Sequence, residues 1–324
     1  MRALITGGGG FVGSNLALYL LSKGHDVTVY DNMQRMGSHI NIGKIKAAFP
    51  QVKIVPKELD DIREFLQNNR FHIIFHFAAQ VAVTSSYESP HSDFRINALG
   101  TFNIVSATDT PVIYASTNKV YGDNVNLVPI EEHETRYDFS GPLKGAGIPE
   151  SFSIDSKKHT PYGCSKLVGE LYVREFGGVA NRFSCMYGPN QFGNTDQGWL
   201  SHFVQYALSG KQLTVYGDGK QVRDALYIDD VVRLLELQAL NIDKIHGEVF
   251  NIGGGYNNVI SLLELCSKLG VKPKFDDWRP SDQKVYYSDI SKAKKLLGWS
   301  PTVSVDDGLK RLIEWHKSLE SKLH

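Results

Sequence analysis

Residues 6–13 read Thr-Gly-Gly-Gly-Gly-Phe-Val-Gly and join an apolar, strand-like run at 2–6 to a helix-like run at 11–22. The first, fourth and seventh residues of the segment 7–13 are glycines, a G-x-x-G-x-x-G spacing that lets the backbone approach a diphosphate at a helix N-terminus. A glycine run alone also fits a flexible turn. The order of strand, turn, helix, second strand at 26–30 and then an acid favours a dinucleotide site.

The acid at the end of that second strand, Asp31, predicts which dinucleotide binds. A carboxylate in this place accepts hydrogen bonds from both ribose hydroxyls and repels an added 2′-phosphate. We therefore predict NAD as the cofactor, rather than NADP.

The rest of the first half continues the same alternation. Strand-like runs recur at 52–55, 73–77 and 112–115 between helix-like segments. This rhythm is typical of an α/β protein with a Rossmann-type, doubly wound parallel sheet. Because the runs at 73–77 and 112–115 are nearly continuously apolar, we expect helices on both of their faces and a position at the centre of the sheet.

Beyond about residue 187 the pattern shortens into mixed strands and helices. We therefore predict a second, smaller mixed α/β domain that binds the substrate. The predicted division is 1–186 for the NAD-binding Rossmann domain, with a returning segment around 224–252, and 187–324 for most of the C-terminal substrate domain.

Composition disfavours several classes of partner. Lysines plus arginines number 35 and acids number 35, so no net basic charge favours nucleic acid or an anionic membrane. The three cysteines lack the paired spacing of a disulfide framework or a zinc site, and we expect no metal. No apolar stretch approaches the roughly 20 residues of a membrane helix. These features predict a cytoplasmic protein.

The segment Tyr162-Gly163-Cys164-Ser165-Lys166 places a phenol and an ammonium four residues apart, on one face of a helix. A free tyrosine titrates near ~10, so a base at neutral pH needs a pKa about three units lower. We expect Lys166 and the positive nicotinamide ring to favour the phenolate in this way. Y-x-x-x-K alone is more typical of an amphipathic surface turn, but the glycine motif in the same chain favours catalysis.

Further segments follow the pattern of one family. They are Asp31-Asn32, Asp61-Ile62, His76-Phe77-Ala78-Ala79-Gln80, Asn97-Ala98-Leu99-Gly100-Thr101, Ser116-Thr117 and Val222-Arg223-Asp224. Together with the glycine motif and the Tyr162–Lys166 segment, they resemble the extended short-chain dehydrogenase/reductase family of NAD-dependent sugar-nucleotide epimerases and dehydratases. The resemblance covers almost the whole chain and implies a nucleotide sugar as the small-molecule substrate.

Longer strings narrow the resemblance. They lie at 116–123, 161–166, 184–188, 196–199 and 219–224. Within the family they are most similar to the enzymes that epimerise carbon 2 of CDP-hexoses. This implies an isomerase that acts through a transient keto-sugar, converting CDP-paratose to CDP-tyvelose or CDP-glucose to CDP-mannose. The spacing of the residues does not itself choose the carbon.

Two alternatives remain beside this interpretation, and the sequence argues against a third. A UDP-sugar 4-epimerase would use the same catalytic residues and is the first alternative. A catalytically silent NAD-binding protein is the second, because a fold does not guarantee turnover. A 4,6-dehydratase needs an additional acid and base; related dehydratases carry an Asp-Glu pair after the position of Thr117, where this chain has Asn118-Lys119, which argues against dehydration.

The resemblance also assigns site residues. It implies Thr117 as the hydroxyl that binds the reacting sugar oxygen, Tyr162 as the base and Lys166 as its activator. The implied cofactor-binding residues are Gly7, Gly10, Phe11, Val12, Asp31, Asn32, Arg35, Asp61, Ile62, Phe77, Ala78, Ala79, Gln80, Asn97, Ser116, Tyr162 and Lys166. The implied substrate-binding residues are Thr84, Thr117, Gln197, Trp199, Arg223 and Arg279.

Several of these roles have a plain structural alternative. Arg35 either lies over the adenosine or is a solvated loop charge, and Asn97 is either structural or close to the cofactor. Trp199 either contacts the sugar or base or packs between the two lobes. The alternative for Arg223 and Arg279, whose guanidinium groups suit a diphosphate, is a surface salt bridge.

Assembly is implied by the resemblance alone. Two long helices per subunit would form a four-helix contact between copies, and the segments 92–108 and 162–175 would supply them. The expected state is a homo-oligomer, either a dimer or a tetramer.

Overall fold

The computed structural model describes residues 1–155, 158–279 and 282–320. Its strands are β1 (Arg2–Thr6), β2 (Asp26–Tyr30), β3 (Lys53–Val55), β4 (Ile73–His76), β5 (Val112–Thr117), β6 (Ile130–Glu132), β7 (Tyr137–Phe139), β8 (Val179–Phe183), β9 (Cys185–Tyr187), β10 (Thr214–Tyr216), β11 (Val222–Tyr227), β12 (Val249–Ile252), β13 (Val259–Ser261), β14 (Lys274–Asp276) and β15 (Val285–Tyr286). Its helices are α1 (Phe11–Ser22), α2 (Ser38–Ala48), α3 (Ile62–Gln67), α4 (Val83–Glu88), α5 (Pro90–Phe94), α6 (Gly100–Val105), α7 (Pro161–Glu175), α8 (Trp199–Leu208), α9 (Ile228–Leu240), α10 (Ile242–Ile245), α11 (Leu262–Leu269), α12 (Ser291–Leu297) and α13 (Val305–Glu320).

Seven strands form the main sheet, in the order β12-β8-β5-β4-β1-β2-β3. Every neighbouring pair in it is parallel. The predicted Rossmann-type parallel sheet is therefore confirmed, and the two apolar runs that we expected at its centre are the adjacent strands β4 and β5.

Alternation of side chains along the strands explains why helices cover both faces. In β1, Ala3 and Ile5 belong to one buried cluster together with Leu16 of α1, whereas Leu4 belongs to a second cluster with Leu66 of α3. Successive side chains of a strand point to opposite faces, so an apolar run of this kind requires cover on both sides.

The parallel register brings the carboxyl ends of the central strands to one edge. Thr6, the last residue of β1, lies opposite Tyr30 and His76, and Thr117 of β5 lies opposite Phe183. The loops that follow these strands therefore meet at that edge, where ligands bind in open α/β sheets.

The C-terminal part of the chain contributes to three sheets, one of which is the parallel pair of β10 and β14. A four-stranded mixed sheet contains β11, with β13 antiparallel to it and β15 and β9 parallel. The strand β12 instead pairs with β8 at the edge of the main sheet. The division into domains at 1–186 and 187–324 stays a prediction.

The helical segment expected at 92–108 differs from a single regular helix. It consists of α5, a π-helical turn at Arg95–Leu99 and α6, with helical dihedral angles at both junctions. Such π turns are rare and are frequent at functional sites. Among the residues described, no helix is both long enough and apolar enough to cross a membrane.

Candidate active site

The loop after β1 has space for glycine and little else. Gly7 has a φ of +69°, and a Cβ on it would lie 2.6 Å from the backbone nitrogen of Ala78. A Cβ on Gly13 would lie 2.3 Å from the carbonyl oxygen of Gly7. The glycines therefore keep the turn tight and open a backbone cradle at the N-terminus of α1, which suits a diphosphate.

Asp31 lies beside this loop with its carboxylate fixed. Its Oδ2 accepts a hydrogen bond from the Gly9 N–H at 2.8 Å, and its Oδ1 accepts one from the Met33 N–H at 2.7 Å. The residue is 8% exposed, at the end of β2. The glycine loop fits the diphosphate of NAD, and the oriented carboxylate of Asp31 fits the hydroxyl groups of its ribose.

A cavity of about 430 Å³ opens over the carboxyl edge of the main sheet. This volume is within the range of small-molecule and cofactor sites. Sixteen of the residues that the sequence nominated line it: Gly7, Gly10, Phe11, Val12, Asp31, Asn32, Arg35, Phe77, Ala78, Ala79, Ser116, Thr117, Tyr162, Lys166, Gln197 and Trp199.

The predicted catalytic residues reach the cavity from two elements. Thr117 ends β5, whereas Tyr162 and Lys166 lie in the first turns of α7. That helix begins sharply because Pro161 occupies its first position and the Thr160 hydroxyl accepts the Gly163 N–H at 3.0 Å.

Two glycines let α7 lie close against β5. A Cβ on Gly163 would lie 2.8 Å from the carbonyl oxygen of Lys119, and one on Gly169 would lie 2.5 Å from the Tyr114 hydroxyl. The role of these two glycines cannot be predicted from their own position in the sequence, because it depends on β5 and the turn that follows it. Their spacing brings the Tyr162–Lys166 face of the helix to the end of β5.

The protein surroundings of Tyr162 favour the neutral phenol. Burial raises the pKa of Tyr162 to about 12; a hydrogen bond with Thr117 and the charge of Arg35 lower it, whereas Asp93 raises it. We expected a lowered pKa, but in the chain by itself burial outweighs both lowering effects.

Lys166 is buried, with 2% of its surface exposed. Burial lowers the pKa of its ammonium to about 7, against the charges of Asp93 and Glu170, which raise it. The ammonium lies 4.1 Å from the centre of the Tyr114 ring, a cation–π contact that stabilises the charged form. Burial therefore weakens the preference of Lys166 for its charged form, and the two carboxylates restore part of that preference.

The side chain of Asn97 is hydrogen-bonded within the protein. Its Oδ1 accepts the Gln80 N–H at 2.9 Å, and its Nδ2 lies 3.0 Å from the Gln80 carbonyl, 3.1 Å from Asp93 Oδ1 and 3.1 Å from Ser165 Oγ. Neither Asn97 nor Gln80 lines the cavity. These bonds join the Gln80 turn to α5 and α7, and the two alternatives for the role of Asn97 stay open.

Other nominated residues also lie outside the cavity lining. The side chain of Ile62 is buried in the second core cluster, and residues 57–60 line the cavity whereas Asp61 does not. Thr84 is exposed on α4, while its neighbour Val83 lines the cavity. The sequence pattern identified these segments, but it did not identify which residue of each segment faces the cavity.

The two arginines expected at the diphosphate have partners within the protein. Arg223 forms an ion pair with Asp282 at 2.6 Å and donates to the Gln283 carbonyl at 2.6 Å. The guanidinium of Arg279 lies 4.0 Å from the centre of the Tyr216 ring. In this conformation neither lines the cavity, because these contacts turn both groups elsewhere.

Some lining residues were missed by the sequence analysis. Glu58 accepts hydrogen bonds from Asn32 Nδ2 at 3.0 Å and Gln34 Nε2 at 2.7 Å, and so fixes the loop that follows β2. Lys119 lines the cavity two residues after Thr117, and burial lowers the pKa of its ammonium. The short distance in sequence between Lys119 and Thr117 could have predicted that Lys119 lies at the cavity.

Comparison with known proteins assigns the family. The pattern of the NAD-dependent epimerase/dehydratase family matches residues 3–253. The chain belongs to this family. It is therefore an NAD-dependent epimerase, an isomerase, and the predictions of cofactor, enzyme class and family are confirmed.

Members of the NAD-dependent epimerase/dehydratase family resemble the chain over nearly its full length. A CDP-paratose 2-epimerase of Salmonella typhi is 38% identical, covering 98% of this chain and 100% of the relative. A putative UDP-glucose 4-epimerase of Methanocaldococcus jannaschii is 32% identical, covering 97% and 98%. The solved UDP-glucuronic acid 4-epimerase of Bacillus cereus, in complex with UDP-glucuronic acid and NAD, has a TM-score of 0.80 and 28% identity, covering 98% and 100%.

Proposed function

We propose that the protein catalyses the C2 epimerisation of a CDP-hexose, with CDP-paratose to CDP-tyvelose as the main reaction and CDP-glucose to CDP-mannose as the second. The observation that carries this proposal is the position of Thr117, Tyr162 and Lys166 in one cavity with the glycine loop. The full-length similarity to a CDP-paratose 2-epimerase supports the choice of carbon and nucleotide.

The residues of the chain have distinct tasks in this reaction. NAD, when bound in this cavity, would supply a reversible hydride acceptor and a positively charged ring. Tyr162 Oη takes the proton of the reacting hydroxyl and returns it, so it works as base and then as acid. The Thr117 hydroxyl binds the same sugar oxygen, and Lys166 stabilises the phenolate form of Tyr162.

Epimerisation also requires the keto-sugar to present its other face to the same hydride. The wall beyond Thr117 carries Asn118 and Lys119, an amide and an ammonium, where an elimination would require an acid and a base. A uniformly hydrogen-bonding wall fits reorientation of a sugar without loss of water.

We also propose that copies of the chain associate through α5, α6 and α7, giving a dimer or a tetramer. Apolar side chains on α5, the π-helical turn and α7 are exposed: Phe94 by 54%, Leu99 by 42%, Leu171 by 50% and Tyr172 by 41%. Several large exposed apolar side chains on adjoining helices favour an interface between proteins. Light scattering of Leu171→Glu should then show a monomer, whereas a monomeric native protein would contradict the proposal.

We also propose that the protein is located in the cytoplasm. Cys164, Cys185 and Cys266 are all free thiols in the described chain. Free thiols persist in a reducing compartment, and fractionation of the source cells would test this location.

The decisive experiment uses the purified protein without added cofactor. CDP-glucose and UDP-glucose are incubated separately, and the sugars are identified after mild acid hydrolysis; CDP-paratose is the third substrate. We expect mannose from CDP-glucose or tyvelose from CDP-paratose. Galactose from UDP-glucose, with no change in either CDP-sugar, would contradict the proposal and favour a UDP-sugar 4-epimerase.

A further inference from the structure

The loop at 188–198 is hydrogen-bonded to the elements around the glycine loop. The glycine loop and the start of α1 form one wall of the cavity, and residues of the segment from Asn190 to Trp199 form another. Four side chains, Asn15, Asn41, Lys44 and Asn190, connect the two walls by hydrogen bonds. We refer to these four residues as the clasp.

Asn41 joins both walls through one amide. Its Nδ2 donates to the carbonyl oxygen of Gly9, in the glycine loop, at 3.0 Å and to that of Asn190 at 3.1 Å. Asn41 is 2% exposed. In such a buried place a lost hydrogen bond leaves polar groups unsatisfied, so the connection is costly to break.

Asn15 makes a second connection in the same manner. Its Nδ2 donates to the carbonyl oxygen of Phe11 at 2.8 Å and to that of Pro189 at 2.9 Å, and its Oδ1 accepts from Asn190 Nδ2 at 3.2 Å. Phe11 opens α1 directly behind the glycine loop. The loop is therefore bonded to the same turn that faces the diphosphate.

Asn190 is the centre of the clasp. Its Oδ1 accepts from Lys44 Nζ at 2.7 Å, its Nδ2 donates to Asn15 and its carbonyl oxygen accepts from Asn41. Its φ of +67° is in the left-handed region, where asparagine and glycine are tolerated better than other residues. The residue is 7% exposed.

The remainder of the loop is internally stiff. Asn194 Oδ1 accepts the N–H groups of Asp196 at 3.0 Å and Gln197 at 2.9 Å, and Ser201 Oγ donates to the Gln191 carbonyl at 2.7 Å. Because the loop is bonded within itself, we expect it to move as one piece. The clasp is the set of hydrogen bonds that joins this piece to the glycine loop, α1 and α2.

We propose that Asn190 is a positioning residue that keeps the 188–198 loop closed over the dinucleotide and so sets how long NAD stays bound. An epimerase needs this retention because the hydride taken from the sugar must return to the same sugar. A reduced cofactor lost in mid-cycle would leave an unreduced keto-sugar. The inference rests on the NAD part of the proposed function and does not depend on which sugar is epimerised.

The test measures NADH dissociation from the full-length protein, by loss of bound-NADH fluorescence after a chase with excess NAD+. Asn190→Gly removes the side chain and keeps the left-handed backbone accessible. We expect its NADH dissociation rate to rise on the order of tenfold. Asn190→Asp keeps the acceptor for Lys44 and should recover part of the retention.

Two further variants keep the test specific. Lys44→Met removes one bond of the clasp without changing the loop, and a severalfold faster dissociation is expected. The control is Asn124→Ala: this side chain bonds the carbonyls of Ser153 at 3.1 Å and Asp155 at 2.8 Å in a loop outside the cavity lining. Its NADH dissociation should stay within about twofold of the native rate.

Either of two results would overturn the proposal. One is an unchanged dissociation rate in both Asn190→Gly and Lys44→Met. The other is an equal rise in the Asn124→Ala control. No sugar enters this assay, so a failure of the C2 assignment would leave a positive clasp result intact.

Discussion

Arg182 and Glu170 form an ion pair from which solvent is excluded, with side chains 3% and 0% exposed. Arg182 Nε donates to both carboxylate oxygens at 3.1 Å, and Ser116 Oγ donates to Glu170 Oε2 at 2.7 Å. Glu170 lies one turn after Lys166 on α7, and Ser116 directly precedes Thr117. Glu170 therefore connects α7 to β5 through Ser116, and these are the two elements that carry the predicted catalytic residues.

We predict that Glu170→Gln will destabilise the protein strongly. The amide keeps the shape of the side chain but leaves the Arg182 charge buried without its counter-charge, at a cost of about 3–5 kcal/mol. Urea unfolding followed by fluorescence measures the loss. Glu131→Gln is the control, because Glu131 pairs with Lys144 on the surface, and its unfolding midpoint should not change. Equal midpoints for the two variants would contradict the prediction.

Opposite shifts in the pH profile are expected from two charges near Tyr162. Asp93 raises the pKa of the phenol and Arg35 lowers it. Removing the acid in Asp93→Asn stabilises the phenolate, so the acidic limb of kcat should move to lower pH. Removing the cation in Arg35→Met should move that limb to higher pH, measured at saturating NAD. Shifts in the same direction would contradict the assigned charges.

The glycine motif, Asp31 and the Y-x-x-x-K segment could be predicted from the sequence because each acts through local spacing. A turn, a strand end and a helix face fix their positions with little help from distant residues. The parallel sheet could also be predicted from the sequence, because a strand as apolar as β4 must be covered by helices on both faces.

What the sequence could not show depends on contacts between distant segments. Whether Arg223 faces the cavity is decided by Asp282, 59 residues away. The role of Asn97 depends on Gln80, and that of Gly169 on the Tyr114 hydroxyl. In the same way Asn190 has no motif of its own, and its importance emerges only when Asn41 and Lys44 lie beside it.

Asp31 should decide between NAD and NADP. Its two carboxylate oxygens already hold the N–H groups of Gly9 and Met33, so the charge is fixed where the ribose hydroxyls would lie. Asp31→Asn should weaken NADH binding by about tenfold and reduce the discrimination against NADPH, both measured by fluorescence titration. Asp26→Asn, at the exposed start of β2, is the control. Unchanged discrimination would show that the carboxylate does not select the cofactor.

Tyr162→Phe should abolish turnover while leaving the structure and the cofactor site in place. The variant removes one hydroxyl, the group assigned to move the proton, and the Thr117 hydroxyl cannot replace it because an aliphatic alcohol is a much weaker acid than a phenol. General acid–base catalysis typically contributes 10²–10⁴-fold, so a fall in kcat of about a thousandfold is expected.

The matched control is Tyr206→Phe on α8, which removes a phenolic hydroxyl that does not line the cavity. Its kcat should equal that of the native protein, and both variants should retain NADH with the native dissociation rate. If Tyr162→Phe still turned over the sugar nucleotide, the Tyr162 hydroxyl would not be the group that transfers the proton. A loss of NADH binding in that variant would instead show that the hydroxyl acts through the cofactor site, because a proton-transfer role leaves binding of the dinucleotide intact.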